Sequence, residues 1–208
     1  VKLRTSDGKL SFEADTYLYL YRNFQTQALS NARVISIDAG RARAYGLEGE
    51  LRWRPQSWVE LFGTYAFNHA RFTSGAYDGN RFRLNPDHSA SLGATLRTAT
   101  GAGMIEATPT LTYRSRIFFD DTNGDPALLA GAVLLPINYH PSQAGYVLAN
   151  LQLAFGPADR RWQIEAFVQN AFDRKYLRDS GQGSLAFGLP TYIAAPPRTF
   201  GMAFSIKG

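Results

Sequence analysis

The stretch that decides the fold reads Tyr146-Val147-Leu148-Ala149-Asn150-Leu151-Gln152-Leu153-Ala154-Phe155, then Gly156-Pro157-Ala158-Asp159-Arg160. Val147, Ala149, Leu151, Leu153 and Phe155 fall on one side of a period-two pattern, against Tyr146, Asn150 and Gln152. Successive side chains of a strand point to opposite faces, so this segment predicts a strand with one apolar and one polar face. The Gly-Pro-Ala-Asp run supplies a turn. The pattern then repeats: Trp162, Ile164, Ala166 and Val168 oppose Gln163, Glu165 and Gln169. Near the end, Phe200, Met202, Phe204 and Ile206 alternate with Thr199, Gly201, Ala203, Ser205 and Lys207. In a soluble β-sandwich such an apolar face packs on a second sheet. In an outer-membrane barrel it faces lipid, the polar face lines a wet lumen, and strands of about 9–11 residues cross the hydrocarbon. Periodicity alone does not separate the two.

Loop lengths discriminate better. Working back from the C-terminal strands, alternation predicts strands over Leu10 to Arg22, Arg41 to Arg54, Trp58 to Phe72, His88 to Arg97 and Met104 to Phe118. With Val1 to Thr5 as the tail of an earlier strand, this makes eight full strands and one cut one. The connections alternate between short ones (6–9, 55–57, 98–103, 156–160) and long ones, with Asn23 to Gly40 read as a polar loop. Outer-membrane barrels have short periplasmic turns and longer extracellular loops, and a sandwich has no reason to sort its connections this way. The reading is therefore all-β, an antiparallel transmembrane barrel.

Composition agrees. The 208 residues include 19 Gly, 11 Tyr and 14 Phe, which suit turns, strands and interface girdles, and no Cys, which excludes disulfides and thiolate chemistry. Mean hydropathy is −0.24, and the longest near-apolar run, Ala127 to Pro136, is half of the roughly 20 residues a spanning helix needs. The net charge of +5 comes from 22 basic residues scattered through strand ends and loops, without a basic helix or cluster, so nucleic acid is not an expected partner. Outer-membrane lipid and lipopolysaccharide are.

Asn170-Ala171-Phe172-Asp173-Arg174-Lys175-Tyr176, then Pro197-Arg198-Thr199-Phe200-Gly201 before the final strand, resembles the C-terminal end of TonB-dependent outer-membrane receptors. Ala39-Gly40-Arg41-Ala42-Arg43-Ala44-Tyr45-Gly46-Leu47-Glu48-Gly49-Glu50 resembles the hairpin arm those receptors carry several strands earlier. Residues 1–208 would then form the C-terminal part of a plugged barrel of about 22 strands. The plug domain and the TonB box would lie outside this chain. Such receptors of Gram-negative outer membranes import a scarce ligand with energy from the inner-membrane TonB complex. A ferric siderophore is the leading ligand class, with cobalamin or a saccharide behind it. One departure stands: family barrels usually finish on an aromatic residue, whereas this sequence ends Ile206-Lys207-Gly208. From the residues alone, a self-contained eight-stranded structural or adhesive barrel remains the alternative.

The sequence points to no catalytic, cofactor or metal site. His69, His88 and His140 lie in separate segments without ligand spacing. His88 and Ser89, as strand neighbours, point to opposite faces and make a poor dyad for an outer-membrane lipase. Asp120-Asp121-Thr122-Asn123-Gly124-Asp125 lacks the order of an EF-hand calcium loop and is expected to be a solvated turn. Ligand-binding candidates come from the long loops: Tyr77, Asp78, Arg81 and Arg83 in one, and Asp120, Asp121, Asn123, Leu128, Leu129, Leu134 and Leu135 in another. The run Ala127 to Ile137 is expected to lie outside the membrane, where an exposed apolar segment either binds something or packs on neighbouring loops.

Overall fold

The structure is a computed structural model that describes residues 1–31, 33–129, 139–159, 161–181 and 189–207. Fifteen strands and no helix are found among them. They are β1 (Lys2–Arg4), β2 (Leu10–Tyr21), β3 (Gln25–Ser30), β4 (Arg33–Asp38), β5 (Ala42–Gln56), β6 (Val59–Phe72), β7 (His88–Thr100), β8 (Gly103–Arg114), β9 (Ile117–Phe118), β10 (Ser142–Gln143), β11 (Tyr146–Gly156), β12 (Trp162–Gln169), β13 (Leu177–Ser180), β14 (Tyr192–Ala194) and β15 (Thr199–Ile206). Nine of them form one antiparallel sheet in the order β1-β2-β5-β6-β7-β8-β11-β12-β15. Neighbours in the sheet are therefore also neighbours along the chain, once the small loop hairpins are set aside. The two outer strands, β1 and β15, do not pair with each other, so the barrel wall is open.

Register keeps the two faces separate. Leu151 pairs with Pro109 and Val168, and Gln152 with Thr108 and Phe167, so the apolar row continues from strand to strand. One face carries Leu18, Leu47, Leu61, Leu92, Leu111, Leu153, Ile164 and Phe204. The other carries Glu13, Glu48, Thr64, Ser91, Thr110, Gln152 and Glu165. Most of the apolar row is exposed, with Leu92 at 62% and Met202 at 78%. Among the described residues no second sheet covers it, and the sandwich reading fails on that point. A membrane covers such a face.

The polar face has its own packing rule. Phe62 lies directly opposite Gly93 across the β6–β7 pair, and a Cβ on Gly93 would overlap the Phe62 ring. Tyr17 lies opposite Gly46 in the same way, with its hydroxyl 2.6 Å from where a Cβ would stand. Directly opposed residues in an antiparallel pair have close Cβ positions, so a ring can lie flat across the strand only if its partner has no side chain.

Several expected boundaries move. Asn23 to Gly40 is not simply a loop: β3 and β4 pair over it from Gln25–Asp38 to Ser30–Arg33. Pro55 does not end its strand either, because β5 continues to Gln56 through a register shift between Trp53 and Gln56. A bulge of this kind accommodates a residue that has no N–H to give. Pro109 interrupts the ladder in mid-strand without shifting its register. The β7–β8 ladder passes from Gly93–Thr110 to Leu96–Ala107, and the Thr108 hydroxyl donates to Thr95 Oγ1 (3.3 Å) across the interruption. The strand expected over Met104 to Phe118 stops at Arg114, and Ile117–Phe118 pairs instead with Ser142–Gln143.

Candidate functional site

The short connections leave one end of the sheet and the long ones leave the other. At the long end, the described parts of the loops (22–31, 33–41, 73–87, 115–129, 139–145, 170–181 and 189–198) pack together. Their apolar anchor is Ala39, Ala42, Phe72 and Tyr77, with Phe24, Ile37, Phe82 and Leu128 around it. The rings interlock: Phe24 meets Phe72 edge-on at 5.4 Å and lies 4.8 Å from Phe82. Tyr77, one of the expected ligand residues, is 4% exposed within this cluster. Burial there raises its phenol above its ordinary pKa, and the charges of Asp121 and Asp120 add to the effect.

A polar knot sits beside this core. The expectation of a solvated turn at Asp120–Asp125 is overturned, since Asp120 and Asp121 are buried. Asp120 accepts hydrogen bonds from the Thr122 backbone N–H (2.9 Å), the Thr122 hydroxyl and the Tyr139 hydroxyl. Asp121 accepts from the Thr26 hydroxyl and from the Arg83 backbone N–H (2.8 Å). Asn123 accepts from the Arg81 N–H (2.8 Å) and donates to the Arg81 and Asp120 carbonyls (2.9 and 3.1 Å). Asn80 donates to the carbonyls of Asp121 and Thr122 (2.9 and 3.1 Å). The Arg83 guanidinium reaches both oxygens of Asp179 (2.9 Å each) and the Phe119 carbonyl (3.2 Å). Burial pushes the Asp120 carboxyl above its ordinary pKa, against the opposing pull of the Thr122 hydrogen bonds.

The expected ligand residues thus divide. Tyr77, Arg81, Asp120, Asp121 and Asn123 are turned into the protein and tie the loops together. Asp78 is exposed, and the Arg83 side chain is 39% exposed beyond its ion pair. Leu128 packs on the aromatic core and Leu129 is buried. Leu134 and Leu135, with most of the 127–137 run, lie outside the described residues. Among the described residues, no group of three or more His, Asp or Glu could hold a metal.

Sequence reading missed the tyrosine column as a site. Tyr17, Tyr19 and Tyr21 stand on the polar face of β2 with ring centroids 5.4 and 6.2 Å apart, and Tyr21 continues to Phe24 (5.3 Å) and Phe82 (6.1 Å). The signal was the Tyr-x-Tyr-x-Tyr spacing, which places all three on one face. Lower on the same face, Glu13 opposes Glu50 and Asp15 opposes Glu48. Lys2 neutralises Glu13 (3.0 Å) and Arg52 reaches Glu50 (3.3 Å), whereas Asp15 and Glu48 have no cation at salt-bridge distance among the described residues.

The quoted C-terminal motif also has a structural role. Asn170 caps the end of β12: its Oδ1 accepts from the Arg174 N–H (2.8 Å), while its own N–H donates to Asn150 Oδ1 (2.9 Å). Tyr176 then stacks on Tyr146 at 4.3 Å.

Comparison with known proteins places this architecture. The sequence profile described as "TonB dependent receptor-like, beta-barrel" matches residues 1–171. The ferric yersiniabactin uptake receptor FyuA from Yersinia pestis is similar at TM-score 0.77 and 20% identity, over 99% of this chain and 28% of that one. The ferric citrate transporter FecA follows at 0.71 and 21%, over 98% and 30%. The ferric-catecholate import receptor Fiu from E. coli K12, in its closed form, gives 0.69 and 21%, over 98% and 26%. This chain thus spans less than a third of the length of each of these receptors. No curated protein matches its sequence. The chain belongs to the TonB-dependent receptor β-barrel family and lies in the outer membrane of a Gram-negative bacterium.

Proposed function

We propose that residues 1–208 are the C-terminal part of the barrel of a receptor that imports a ferric siderophore across the outer membrane. The tyrosine column carries this reading. It rises along the inward face from mid-strand to the mouth, where four interlocked loops meet, and offers stacked aromatic faces to a ligand entering from outside. Flat, partly unsaturated iron chelates suit such a surface, and their charge suits the exposed Arg83 beside it. The similar structures are named for ferric yersiniabactin, ferric citrate and ferric catecholates, which supports the same ligand class. An N-terminal plug and TonB box, outside these residues, would supply the energy-coupled step, with the uncompensated Asp15 and Glu48 facing the plug. This chain then provides wall, mouth and loop framework, and no catalysis.

The test is iron-restricted growth and saturable uptake of labelled ferric siderophores in a strain lacking the whole receptor. Growth and uptake on one siderophore should fail without the receptor and return with it. Replacing Tyr19 and Tyr21 by Ala should raise the half-saturating concentration while the folded barrel persists. Normal uptake of every siderophore tested, with loss of cobalamin or oligosaccharide uptake instead, would contradict the iron reading.

A further inference from the structure

Three arginines at the loop end of the sheet are answered by carboxylates. Arg83 takes both oxygens of Asp179, and Arg71 and Arg81 share Asp87 at 3.1 and 2.6 Å. Burial tends to raise the Asp87 pKa, but its two arginines prevail and hold it below the ordinary carboxylate range. Arg114 and Arg178 are placed differently. Both are exposed, neither has a carboxylate at salt-bridge distance among the described residues, and both line the same cavity of about 510 Å³. None of the described residues lining that cavity is acidic.

Each guanidinium is brought there by a separate device. Arg114 ends β8 at an inward position and lies directly opposite Tyr146, the first residue of β11. Tyr146 is buried, and its ring stacks on Tyr176 at 4.3 Å. Arg178 is the extra residue of a bulge in β13, between the Leu177–Ala194 and Asp179–Ile193 pairs, and a bulge re-aims the side chain it carries. Its chain neighbours are pinned: the Leu177 N–H donates to Gln143 Oε1 (2.8 Å), and Asp179 is already committed to Arg83. Both guanidiniums come beside the Tyr146 phenol. Leu84, Leu148 and Pro196 supply apolar sides. β8 and β11 lie four and five strands round the sheet from β2, so the cavity is separate from the tyrosine column.

Two like charges converging on one phenol oppose each other until an anion joins them. A carboxylate suits them best, because a guanidinium fork matches its two oxygens, and the stacked rings offer a face to whatever carries it. The cavity has the size of a small-molecule site and the usual lining of one, apolar and aromatic with a few convergent polar groups. We propose that Arg114 and Arg178 bind a free carboxylate of the imported chelate, one that is not spent on the metal. The proposal rests on the import of a ferric siderophore and narrows that class to carboxylate-bearing chelates.

The test is titration calorimetry on the whole receptor in detergent. The probes are a ferric citrate-dihydroxamate with two free carboxylates, the same chelate with those carboxylates methyl-esterified, a ferric tricatecholate and an uncharged ferric trihydroxamate. The free acid should bind at least about tenfold more tightly than each of the others, as charge-assisted hydrogen bonds predict. Arg178→Gln should weaken the free acid by about tenfold and bring acid and ester close together. Arg178→Lys should lose less, since lysine keeps the charge but not the fork. Arg114→Gln should act as Arg178→Gln does. An ester, catecholate or trihydroxamate that binds as tightly as the free acid would overturn the proposal and leave iron import standing. Variants that weaken acid and ester equally would overturn it too, because that marks a structural role. If none of the probes binds, the iron reading falls and this proposal with it. The comparison of acid and ester on the unmodified receptor stands even if Arg114→Gln fails to fold.

Discussion

Leu151 and Asp121 show how differently the wall and the loop layer are held. Leu151 sits in mid-strand between Pro109 and Val168, and only the alternation of its strand turns it outward. Its environment is lipid, supplied from outside the protein. Asp121 is 7% exposed and is held by Thr26 from the β3–β4 hairpin and by the Arg83 N–H, while Asn80 takes its carbonyl. Its environment is supplied wholly by other loops. The wall is stabilised by backbone ladders and a membrane, and the loops by buried polar groups that must each find a partner. The wall therefore tolerates change wherever the facing is preserved. The loop layer tolerates it only where no donor or acceptor is stranded.

The largest expected effect is on the wall. At Gly46 a Cβ would meet the Phe67 carbonyl as well as the Tyr17 ring, and backbone cannot step aside as a side-chain tip can. Gly46→Val in the whole receptor should cost about 3 kcal/mol or more and abolish heat-resistant barrel migration. Gly101, in a turn with open space where its Cβ would be, should accept alanine within about 0.5 kcal/mol. Next comes facing. Leu151→Arg places a charge toward lipid at a cost of about 2–4 kcal/mol, whereas Gln152→Arg lies on the inward face beside Glu165, to which Gln152 already donates (3.0 Å). Folded yield in bilayers should fall for the first and hold for the second. Equal losses would break the distinction between the two faces.

The smallest effect is on the loop layer and depends on pH. Because burial raises the folded-state pKa of Asp120, the stability it contributes is complete below the ordinary carboxylate range and fades as pH rises through the raised value. Asp87 has the opposite sign: its contribution holds above the ordinary range and is lost as pH falls through its depressed value. Amide protection across residues 121–129, taken relative to intrinsic exchange at each pH, should therefore peak in mild acid, between these two limits. Asp120→Asn should flatten the neutral side of that profile and shift loop stability by no more than about 1 kcal/mol. Asp120→Ala, which strands the Thr122 N–H and the Tyr139 hydroxyl, should cost about 1–3 kcal/mol. None of these changes should move the melting of the sheet.

The same contrast explains what could be read from sequence. The wall was legible because facing is a local property: period two puts Leu151 and Gln152 on opposite sides whatever lies beyond them. The family motifs were legible because Asn170 and Gly46 serve needs a few residues or one strand pair away. The β3–β4 hairpin was not, since it stands clear of lipid and needs no apolar row to form. The buried turn at Asp120 was misread for a related reason. Its charge predicted solvent, while the groups that bury it come from far along the chain, Thr26 being 95 residues from Asp121. Candidate site residues picked by charge in long loops therefore included the fasteners of the mouth, and the tyrosine column below it looked like ordinary strand.

The central claim is that this sheet is a membrane wall with one lipid face and one wet face. The chain contains no cysteine, so single cysteines introduced into it can carry spin labels without background from its own residues. Labels at Leu92, Leu111 and Leu151, and at Ser91, Thr110 and Gln152, should be compared in the whole receptor in bilayers for collision with oxygen and with a water-soluble nickel chelate. Oxygen should dominate at the three leucine positions and the chelate at the three polar ones, alternating residue by residue. Loss of that alternation, or its reversal, would contradict the account.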